Sequence, residues 1–319
     1  MPVNENTLLT NFKSGSRVAL ARALTLTESR SPEAFALLSE LGDCIGRAIR
    51  IGITGPPGAG KSTLIAKLAQ HWLAENHKVG ILAVDPTSPF SGGALLGDRV
   101  RMGSISMDSR VFVRSLATRG SVGGLARAAG EMADILDAFG FDLIVFETVG
   151  VGQSELDIVQ YADTTAVVLV PESGDAIQAM KAGLMEIGDL FVINKSDREG
   201  ANRFAVELQA VMKFKKWSGW MPPILSTVAA TGTGIPELAE ALKQHINYLQ
   251  QEGLWNERRL ERGRRKYQRV VEDEILQAFW TAKRKSLLDD AVTRRKSAYA
   301  LARALLLDVI REIRHIRRD

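Results

Sequence analysis

Residues 55–62 read Gly-Pro-Pro-Gly-Ala-Gly-Lys-Ser and match the pattern G-x-x-x-x-G-K-[ST] at every position. The apolar run 51–53 precedes the pattern and the helix-forming run 63–69 follows it, so the strand–loop–helix context that the pattern requires is present. Glycines allow backbone N–H groups to turn inward around a phosphate, and the N-terminus of the following helix adds partial positive charge. This segment therefore predicts a nucleotide-binding α/β core.

The side chains of this loop suggest how it would hold a nucleoside triphosphate. We expect the Lys61 ammonium to reach the β- and γ-phosphates, which makes it a candidate catalytic residue, and the Ser62 hydroxyl to bind Mg²⁺. The other loop residues expected at the phosphates are Gly55, Gly58, Ala59, Gly60 and Thr63.

A second motif identifies the base. Residues 194–197 are Asn-Lys-Ser-Asp, an N-K-x-D pattern that follows the apolar run 190–193. The Asp197 carboxylate can accept hydrogen bonds from N1–H and the N2 amine of guanine, whereas adenine would leave it unpaired, and such a mismatch can reject a ligand by several orders of magnitude. We expect Asn194 to connect the base loop to the phosphate loop and the Lys195 stem to cover one face of the base. The two motifs together predict GTP and GDP as ligands.

Short apolar runs alternate with amphipathic stretches through the middle of the chain. Unbroken Val/Ile/Leu strands between helices predict an α/β fold, a P-loop NTPase whose mostly parallel sheet is flanked by helices. The predicted strands are 50–54, 79–84, 111–115, 142–147, 164–170, 189–193 and 223–227. The predicted helices of this region are 62–76, 123–139, 199–213 and 236–250.

Three regions follow from this pattern: an N-terminal helical extension (1–47), a GTPase domain (48–250) and a C-terminal helical arm (251–319). Residues 250–319 carry 18 Lys and Arg against 11 Asp and Glu. Because the acids are interleaved with the bases, this arm is more typical of solvated, salt-bridged helices than of a nucleic-acid site. The basic and aromatic stretch 213–220 is likewise more typical of an exposed helix end than of a nucleic-acid contact.

Carboxylates at further strand ends are candidates for the metal. In a parallel sheet ligands sit at the carboxyl ends of the strands. Glu147 ends one predicted strand, where it can hold a water on Mg²⁺, and the nearby Gly150 N–H can sense the γ-phosphate. Asp85 ends another strand and, with Asp98, is a further candidate on the Mg²⁺ side, although an aspartate before a proline is often only a turn former.

Composition limits the cellular context. The chain has one cysteine, so an intrachain disulfide cannot form, and its four histidines form no cluster with metal-ligand spacing. The first 17 residues contain no continuous apolar stretch like that of a signal peptide, and no run approaches the length needed to span a bilayer. We expect a protein of the reducing cytoplasm with no membrane partner.

Several long motifs, taken in order, resemble the MeaB/ArgK family of P-loop GTPases. The matching segments are 84–89, 96–102, 147–155 and 194–197, and the resemblance covers roughly residues 15–250. Members of this family are chaperones of adenosylcobalamin-dependent acyl-CoA mutases, above all methylmalonyl-CoA mutase. The resemblance implies a homodimer, a GTP-gated hand-over of the cofactor and protection of the mutase from inactivation.

The resemblance also implies roles for individual residues. Ser62, Asp85, Asp98 and Glu147 match the positions of the family's Mg²⁺ surroundings. Residues 172–181 are similar to its third switch. The lysine of that switch would be Lys181, for which a solvated helix lysine is the plain alternative. Gln153 is a candidate for orienting the attacking water.

Two positions depart from the family pattern. The Ser-Ala or Ser-Gly pair behind the base aligns with Val228-Ala229, which keeps a backbone N–H contact to the guanine oxygen but loses a serine contact. Residues 171–173 are Pro-Glu-Ser in place of a glycine-rich opening. Two alternatives to a GTPase remain open at this point: a P-loop kinase acting on a small molecule or transport protein, and a binding module that only traps nucleotide. No protein-kinase catalytic loop or D-F-G motif is present.

Overall fold

The computed structural model describes residues 5–85, 102–117, 124–148, 160–171, 183–215, 217 and 219–316. The chain divides into two compact units, residues 1–256 and residues 257–319. The larger unit is built on a β-sheet, and the described part of the smaller one is helical.

Seven strands of the described residues form one sheet. They are β1 (Ile49–Thr54), β2 (Val79–Asp85), β3 (Val111–Ala117), β4 (Leu143–Thr148), β5 (Thr164–Leu169), β6 (Leu190–Asn194) and β7 (Ile224–Thr227). The order across the sheet is β3-β2-β4-β1-β5-β6-β7, and all neighbouring pairs are parallel. Parallel strands need crossover connections, which place helices on both faces. The predicted fold class is confirmed, and the strand bounds differ from the predicted ones by at most two residues.

Nine helices of the described residues accompany the sheet. They are α1 (Glu5–Lys13), α2 (Arg17–Ser29), α3 (Pro32–Glu40), α4 (Lys61–Ala74), α5 (Gly103–Ser106), α6 (Gly124–Phe139), α7 (Leu184–Ile187), α8 (Ala201–Phe214) and α9 (Ile235–Gln251). A single 3₁₀ turn, Gly42–Cys44, precedes β1. The four helices predicted between residues 62 and 250 correspond to α4, α6, α8 and α9.

Each face of the sheet has its own hydrophobic core. On one face, Ile53 and Val145 pack with Leu64 and Leu68 of α4 and with apolar residues of α9. On the other face, Phe146 belongs to a second cluster that contains residues of α6 and of the N-terminal helices. A third cluster joins β5 and β6 to α8. Successive strand residues point to opposite faces, so neighbouring residues of β4 contribute to different cores.

Two of the N-terminal helices begin at serine N-caps, and one carboxylate binds the segment that connects them to β1. The Ser16 and Ser31 hydroxyls accept from backbone N–H groups at the starts of α2 and α3 and so act as N-caps. Asp137, near the end of α6, accepts three backbone N–H bonds from residues 46–48 at distances of 2.8 to 3.1 Å. This carboxylate fastens the connection between the extension and β1.

A buried ion cluster lies beside the beginning of β1. The Arg50 guanidinium donates to Asp134 at 2.6 Å and lies 3.5 Å from Asp137. Although burial by itself lowers the pKa of Arg50, the nearby carboxylates of Asp134, Asp163 and Asp137 raise it by more. The backbone N–H of Arg50 also donates to the Asp163 carboxylate at 2.9 Å. The cluster therefore joins β1 to α6 and to the segment before β5.

Three helices follow α9. They are α10 (Leu254–Phe279), α11 (Ala282–Thr293) and α12 (Ala298–Ile316), in agreement with the helical periodicity of the sequence. In the smaller unit, Arg284 is buried and donates to the Phe279 carbonyl at 2.9 Å, while Lys283 pairs with Asp308 at 3.0 Å. The hydrogen bond from the Lys283 ammonium lowers the pKa of Asp308, and the nearby Arg284 guanidinium lowers it further. Among the described residues, no helix is both long and apolar enough to cross a membrane.

Candidate nucleotide-binding site

The phosphate loop connects β1 to α4 at the carboxyl edge of the sheet, and its first and last glycines are required by contact as well as by conformation. Gly55 has φ 138° and Gly60 has φ 86°, both in the region that residues with a side chain rarely adopt. A Cβ on Gly55 would overlap the Val168 carbonyl oxygen, and one on Gly60 would overlap the Asn194 amide nitrogen. The loop is therefore packed directly against β5 and the end of β6.

Lys61 is the first residue of α4, and its ammonium turns back over the loop. Its Nζ donates to the carbonyl oxygens of Gly55 at 2.7 Å and of Pro56 at 2.9 Å, and the side chain is buried. These bonds hold a positive charge at the loop where phosphate oxygens would be expected. An anionic phosphate is a stronger acceptor for an ammonium group than a neutral carbonyl.

Ser62 and Glu147 meet beside the loop. The Ser62 hydroxyl donates to the Glu147 carboxylate at 2.5 Å, and the carboxylate is almost completely buried. The side chain of Glu147 thus reaches from the end of β4 to the first turn of α4. A hydroxyl and a carboxylate are hard oxygen ligands of the kind that Mg²⁺ prefers, together with water and substrate phosphates. This donor set fits Mg²⁺.

The described residues contain no group of three His, Cys, Asp or Glu residues that could hold a metal by itself. In proteins, Mg²⁺ is usually bound through one or two carboxylates together with waters and substrate phosphates. Asp85 is the last residue of β2, but its side chain lies outside the described part of the structure, and Asp98 lies outside it entirely.

Asn194 connects the two loops of the site. Its Nδ2 donates to the Ala59 carbonyl in the phosphate loop at 2.7 Å. Its Oδ1 accepts from the Thr227 hydroxyl at 3.2 Å and from the Ala229 backbone N–H at 3.0 Å. All of these groups are buried. One amide therefore holds the phosphate loop, the end of β6 and the loop after β7 together.

The remaining residues of the N-K-x-D motif lie on a turn that is bound to β7. The Ser196 N–H donates to the Thr227 carbonyl at 3.0 Å, and Lys195 has φ 57°, a left-handed conformation. Asp197 lies on this turn and is exposed, while Lys195 is half-buried. The turn leaves the Asp197 carboxylate accessible to a ligand from solvent.

The loop after β7 closes on itself. Val228 and Thr233 form an isolated antiparallel bridge, and the Val228 carbonyl accepts from the backbone N–H groups of Thr231 and Gly232. Ala229 is buried, and its N–H donates to Asn194. A guanine oxygen placed at Ala229 would therefore share this donor with the Asn194 amide.

The structure brings together many of the residues that the sequence indicated, at the carboxyl ends of β1, β4, β6 and β7. They are Gly55, Gly58, Ala59, Gly60, Lys61, Ser62, Thr63, Glu147, Asn194, Lys195, Asp197, Val228 and Ala229. Three further predicted residues, Gly150, Gln153 and Lys181, lie outside the described residues.

Sequence reasoning missed three buried threonines at strand ends. Thr54 ends β1, Thr148 ends β4 and Thr227 ends β7. Each lies next to a residue or motif that the sequence did single out, and that adjacency is the only signal that could have identified them.

The aromatic residues after α8 are held by the fold. Lys215 donates to the Met185 carbonyl at 2.9 Å and lies over the Trp217 ring at 4.4 Å, while the Trp220 indole donates to the Asp189 carbonyl at 2.8 Å. α8 ends at Phe214, and these contacts bind Lys215, Trp217 and Trp220 to the fold after the helix end.

A family model described as methylmalonyl Co-A mutase-associated GTPase MeaB matches residues 20–284. A Pyrococcus horikoshii protein whose name describes it as a GTPase is 50% identical over 262 residues, covering 81% of this chain and 82% of that protein. The GTPase ArgK of Escherichia coli is 35% identical over 286 residues, covering 86% of each chain. A solved structure named LAO/AO transport system kinase has a TM-score of 0.72 and 26% identity, covering 97% of this chain and 99% of that one.

Proposed function

The chain belongs to the family of methylmalonyl-CoA mutase-associated GTPases named MeaB, and on this premise we propose that it acts as a GTP-hydrolysing chaperone of an adenosylcobalamin-dependent acyl-CoA mutase. Its enzymatic activity is that of a GTPase, which converts GTP to GDP and phosphate. In the proposed role, hydrolysis gates the loading of the cofactor into the mutase and protects the mutase from inactivation.

The single structural observation that supports the nucleotide-dependent part of this function most strongly is the position of Asn194. Its amide is bonded on one side to the phosphate loop, through Ala59, and on the other to the loop behind the base, through Ala229. A nucleotide that engages both loops would therefore bind to a preorganised pair of surfaces, which lowers the cost of ordering them on binding.

We assign the base specificity to the turn that follows Asn194. Asp197 would accept from the two guanine donors, and the Lys195 stem would cover the base. The backbone of Val228 and Ala229 would contact the guanine oxygen. The absence of a serine at residue 228 leaves backbone groups as the donors at this position.

Hydrolysis would depend on positioning and charge neutralisation, without a covalent intermediate. Lys61 would exchange its bonds with the Gly55 and Pro56 carbonyls for phosphate oxygens and so neutralise part of their charge. Ser62 and Glu147 would hold Mg²⁺. When bound, Mg²⁺ supplies further neutralisation of the β- and γ-phosphate charge.

Other roles are proposed for residues outside the described part of the structure. Asp98, together with Asp85, would complete the Mg²⁺ surroundings, and Gly150 would respond to the γ-phosphate. Gln153 would orient the attacking water. Lys181 would contribute to catalysis when the partner is bound.

A protection assay tests the chaperone role directly. The purified mutase would be kept turning over in the presence of this protein with GTP or GDP, and the half-life of mutase activity would be measured. We expect the half-life to lengthen with the wild-type protein and GTP. The variant Lys61→Ala is the matched control, because it removes a positive charge from the phosphates, and circular dichroism would verify that it is folded. Equal half-lives with the wild-type protein and with no added protein would refute the proposed role.

The name of one similar structure, a transport system kinase, keeps a second candidate in view. A kinase transfers the γ-phosphate to an acceptor, whereas a GTPase transfers it to water. Product analysis with γ-labelled GTP separates the two, since the GTPase assignment predicts label in free phosphate and the kinase alternative predicts label on an acceptor molecule or protein.

A further inference from the structure

Two buried threonine hydroxyls are bonded to each other where β1 and β4 end. Thr54 is 0% exposed and Thr148 is 2% exposed. The Thr148 hydroxyl donates to the Thr54 hydroxyl at 2.9 Å. Neither residue belongs to the set assigned above to nucleotide or metal.

The ladder between these strands explains how the pair relates to the site. Ile53 of β1 is in register with Glu147 of β4, so Thr54 and Thr148 are the next pair along the two parallel strands. Side chains alternate between the faces of a sheet. The Glu147 side chain therefore points to the face of α4, where it meets Ser62, and the threonine pair points to the opposite face.

Thr54 is the last residue of β1, and Gly55 begins the phosphate loop directly after it. Thr148 is the last residue of β4 and the last described residue of this stretch of the chain. The hydrogen bond between the hydroxyls therefore connects the end of β1, directly before the phosphate loop, to the end of β4, directly after Glu147.

Stability alone does not require hydroxyls here. Replacing both members of a buried hydrogen-bonded pair by apolar groups of the same shape can be nearly neutral, and valine has nearly the shape of threonine. Removing only one member destabilises the fold, because the other is left buried and unsatisfied. Two threonines form a directional hydrogen bond that sets the separation of the ends of β1 and β4, and two valines would not form it.

We propose that Thr54 and Thr148 are positioning residues that fix the Glu147 carboxylate relative to the Ser62 hydroxyl, and thereby set the affinity of the nucleotide site for Mg²⁺. This inference rests on the proposed Mg²⁺ role of Ser62 and Glu147. The pair contacts neither metal nor nucleotide and acts through the backbone of β1 and β4.

The test measures how strongly Mg²⁺ improves GDP binding. The dissociation constant for GDP would be determined by calorimetry in EDTA and in excess Mg²⁺, and the ratio of the two is the Mg²⁺ enhancement. The variants are Thr54→Val, Thr148→Val and the double valine variant. Thr148→Ser keeps the hydroxyl. Thr27→Val is the matched control, because Thr27 is a buried threonine of α2 whose hydroxyl donates to the Ala23 carbonyl at 2.9 Å.

We expect each valine variant to lower the Mg²⁺ enhancement about tenfold, as mutations behind metal ligands commonly do. GDP affinity in EDTA should stay unchanged, and Thr148→Ser and Thr27→Val should keep the wild-type enhancement. The double valine variant should unfold at the wild-type denaturant midpoint and yet keep the low enhancement, which separates positioning from stability.

Wild-type enhancement in the double valine variant would overturn the inference, as would an equal loss of GDP affinity with and without Mg²⁺. Failure of the chaperone role is a separate outcome. In that case the mutase would stay unprotected in the assay above, while the valine variants would still show the lowered Mg²⁺ enhancement.

Discussion

At the scale of single residues, the site depends on side chains whose bonds cross between distant parts of the chain. Asn194 reaches Ala59, and Ser62 reaches Glu147, across 135 and 85 positions of sequence respectively. The motifs make Asn194, Ser62 and Glu147 identifiable from sequence because each occupies a fixed place after a strand or within a loop. The partner of each is a consequence of the fold.

The base specificity can be tested at one residue. Asp197→Asn should weaken GTP binding and favour xanthosine triphosphate, because the asparagine amide can donate to the carbonyl that replaces the guanine amine. We expect a loss of GTP affinity of several orders of magnitude. Calorimetry with GTP, ATP and xanthosine triphosphate measures the change. Glu199→Gln, at an exposed position, is the matched control. Asp189→Asn would be unsuitable, because the Asp189 carboxylate accepts a hydrogen bond from the Thr165 N–H. Equal affinity of the parent protein for ATP and GTP would show that Asp197 does not select guanine.

At the scale of elements, alternation of apolar runs and helices was sufficient to predict the sheet. The strands β4, β5 and β6 are rich in Val, Ile, Leu and Phe and are buried along their whole length, and such apolar runs carry a strong local signal. The order of the strands and the buried polar pairs were not predictable in this way. The Arg50–Asp134 and Thr54–Thr148 bonds join residues about 90 positions apart, and nothing in the local pattern indicates such partners.

The buried cluster around Arg50 leads to a prediction about stability. Arg50→Met should lower the free energy of unfolding by about 3–5 kcal/mol, because it removes the cation from a group of buried carboxylates. Denaturant unfolding followed by circular dichroism measures the change. Arg47→Met, at an exposed position close by, should change stability by less than about 0.5 kcal/mol. A loss at Arg50 no larger than that at Arg47 would show that the cluster does not stabilise the fold.

At the scale of the whole chain, the C-terminal helices expose apolar side chains that another protein surface could bury. None of the described side chains of α10 is buried, although it spans 26 residues. Leu260, Tyr267, Val271 and Ile275 are exposed on it, and their spacing places them along one face of the helix. We propose that the arm 251–319 forms a homodimer contact, in which α12 would also take part through Leu301, Leu306 and Ile310. The helical spacing of the sequence also predicts Leu305 and Ile313 at this contact. Leu305 is instead buried within the described chain, and the side chain of Ile313 lies outside the described part.

Truncation tests the arm. A chain that ends at Asn256, the last residue of the larger unit, should be a monomer that still binds GTP, because the site lies wholly within residues 54–234. Light scattering at micromolar concentration gives the mass, and calorimetry gives the nucleotide affinity. A full-length chain that is a monomer, or a truncated chain that remains a dimer, would show that the arm does not form the dimer contact.

The proposed chaperone role requires that a cobalamin-dependent mutase binds this GTPase and changes its rate of hydrolysis. The most direct measurement is the initial rate of phosphate release from GTP, with and without an equimolar purified adenosylcobalamin-dependent acyl-CoA mutase from the same organism. We expect acceleration by about tenfold or more, because a bound partner can complete the stabilisation of charge in the transition state. Lys61→Ala should show no phosphate release in either condition. A wild-type rate that the mutase leaves unchanged would contradict the account.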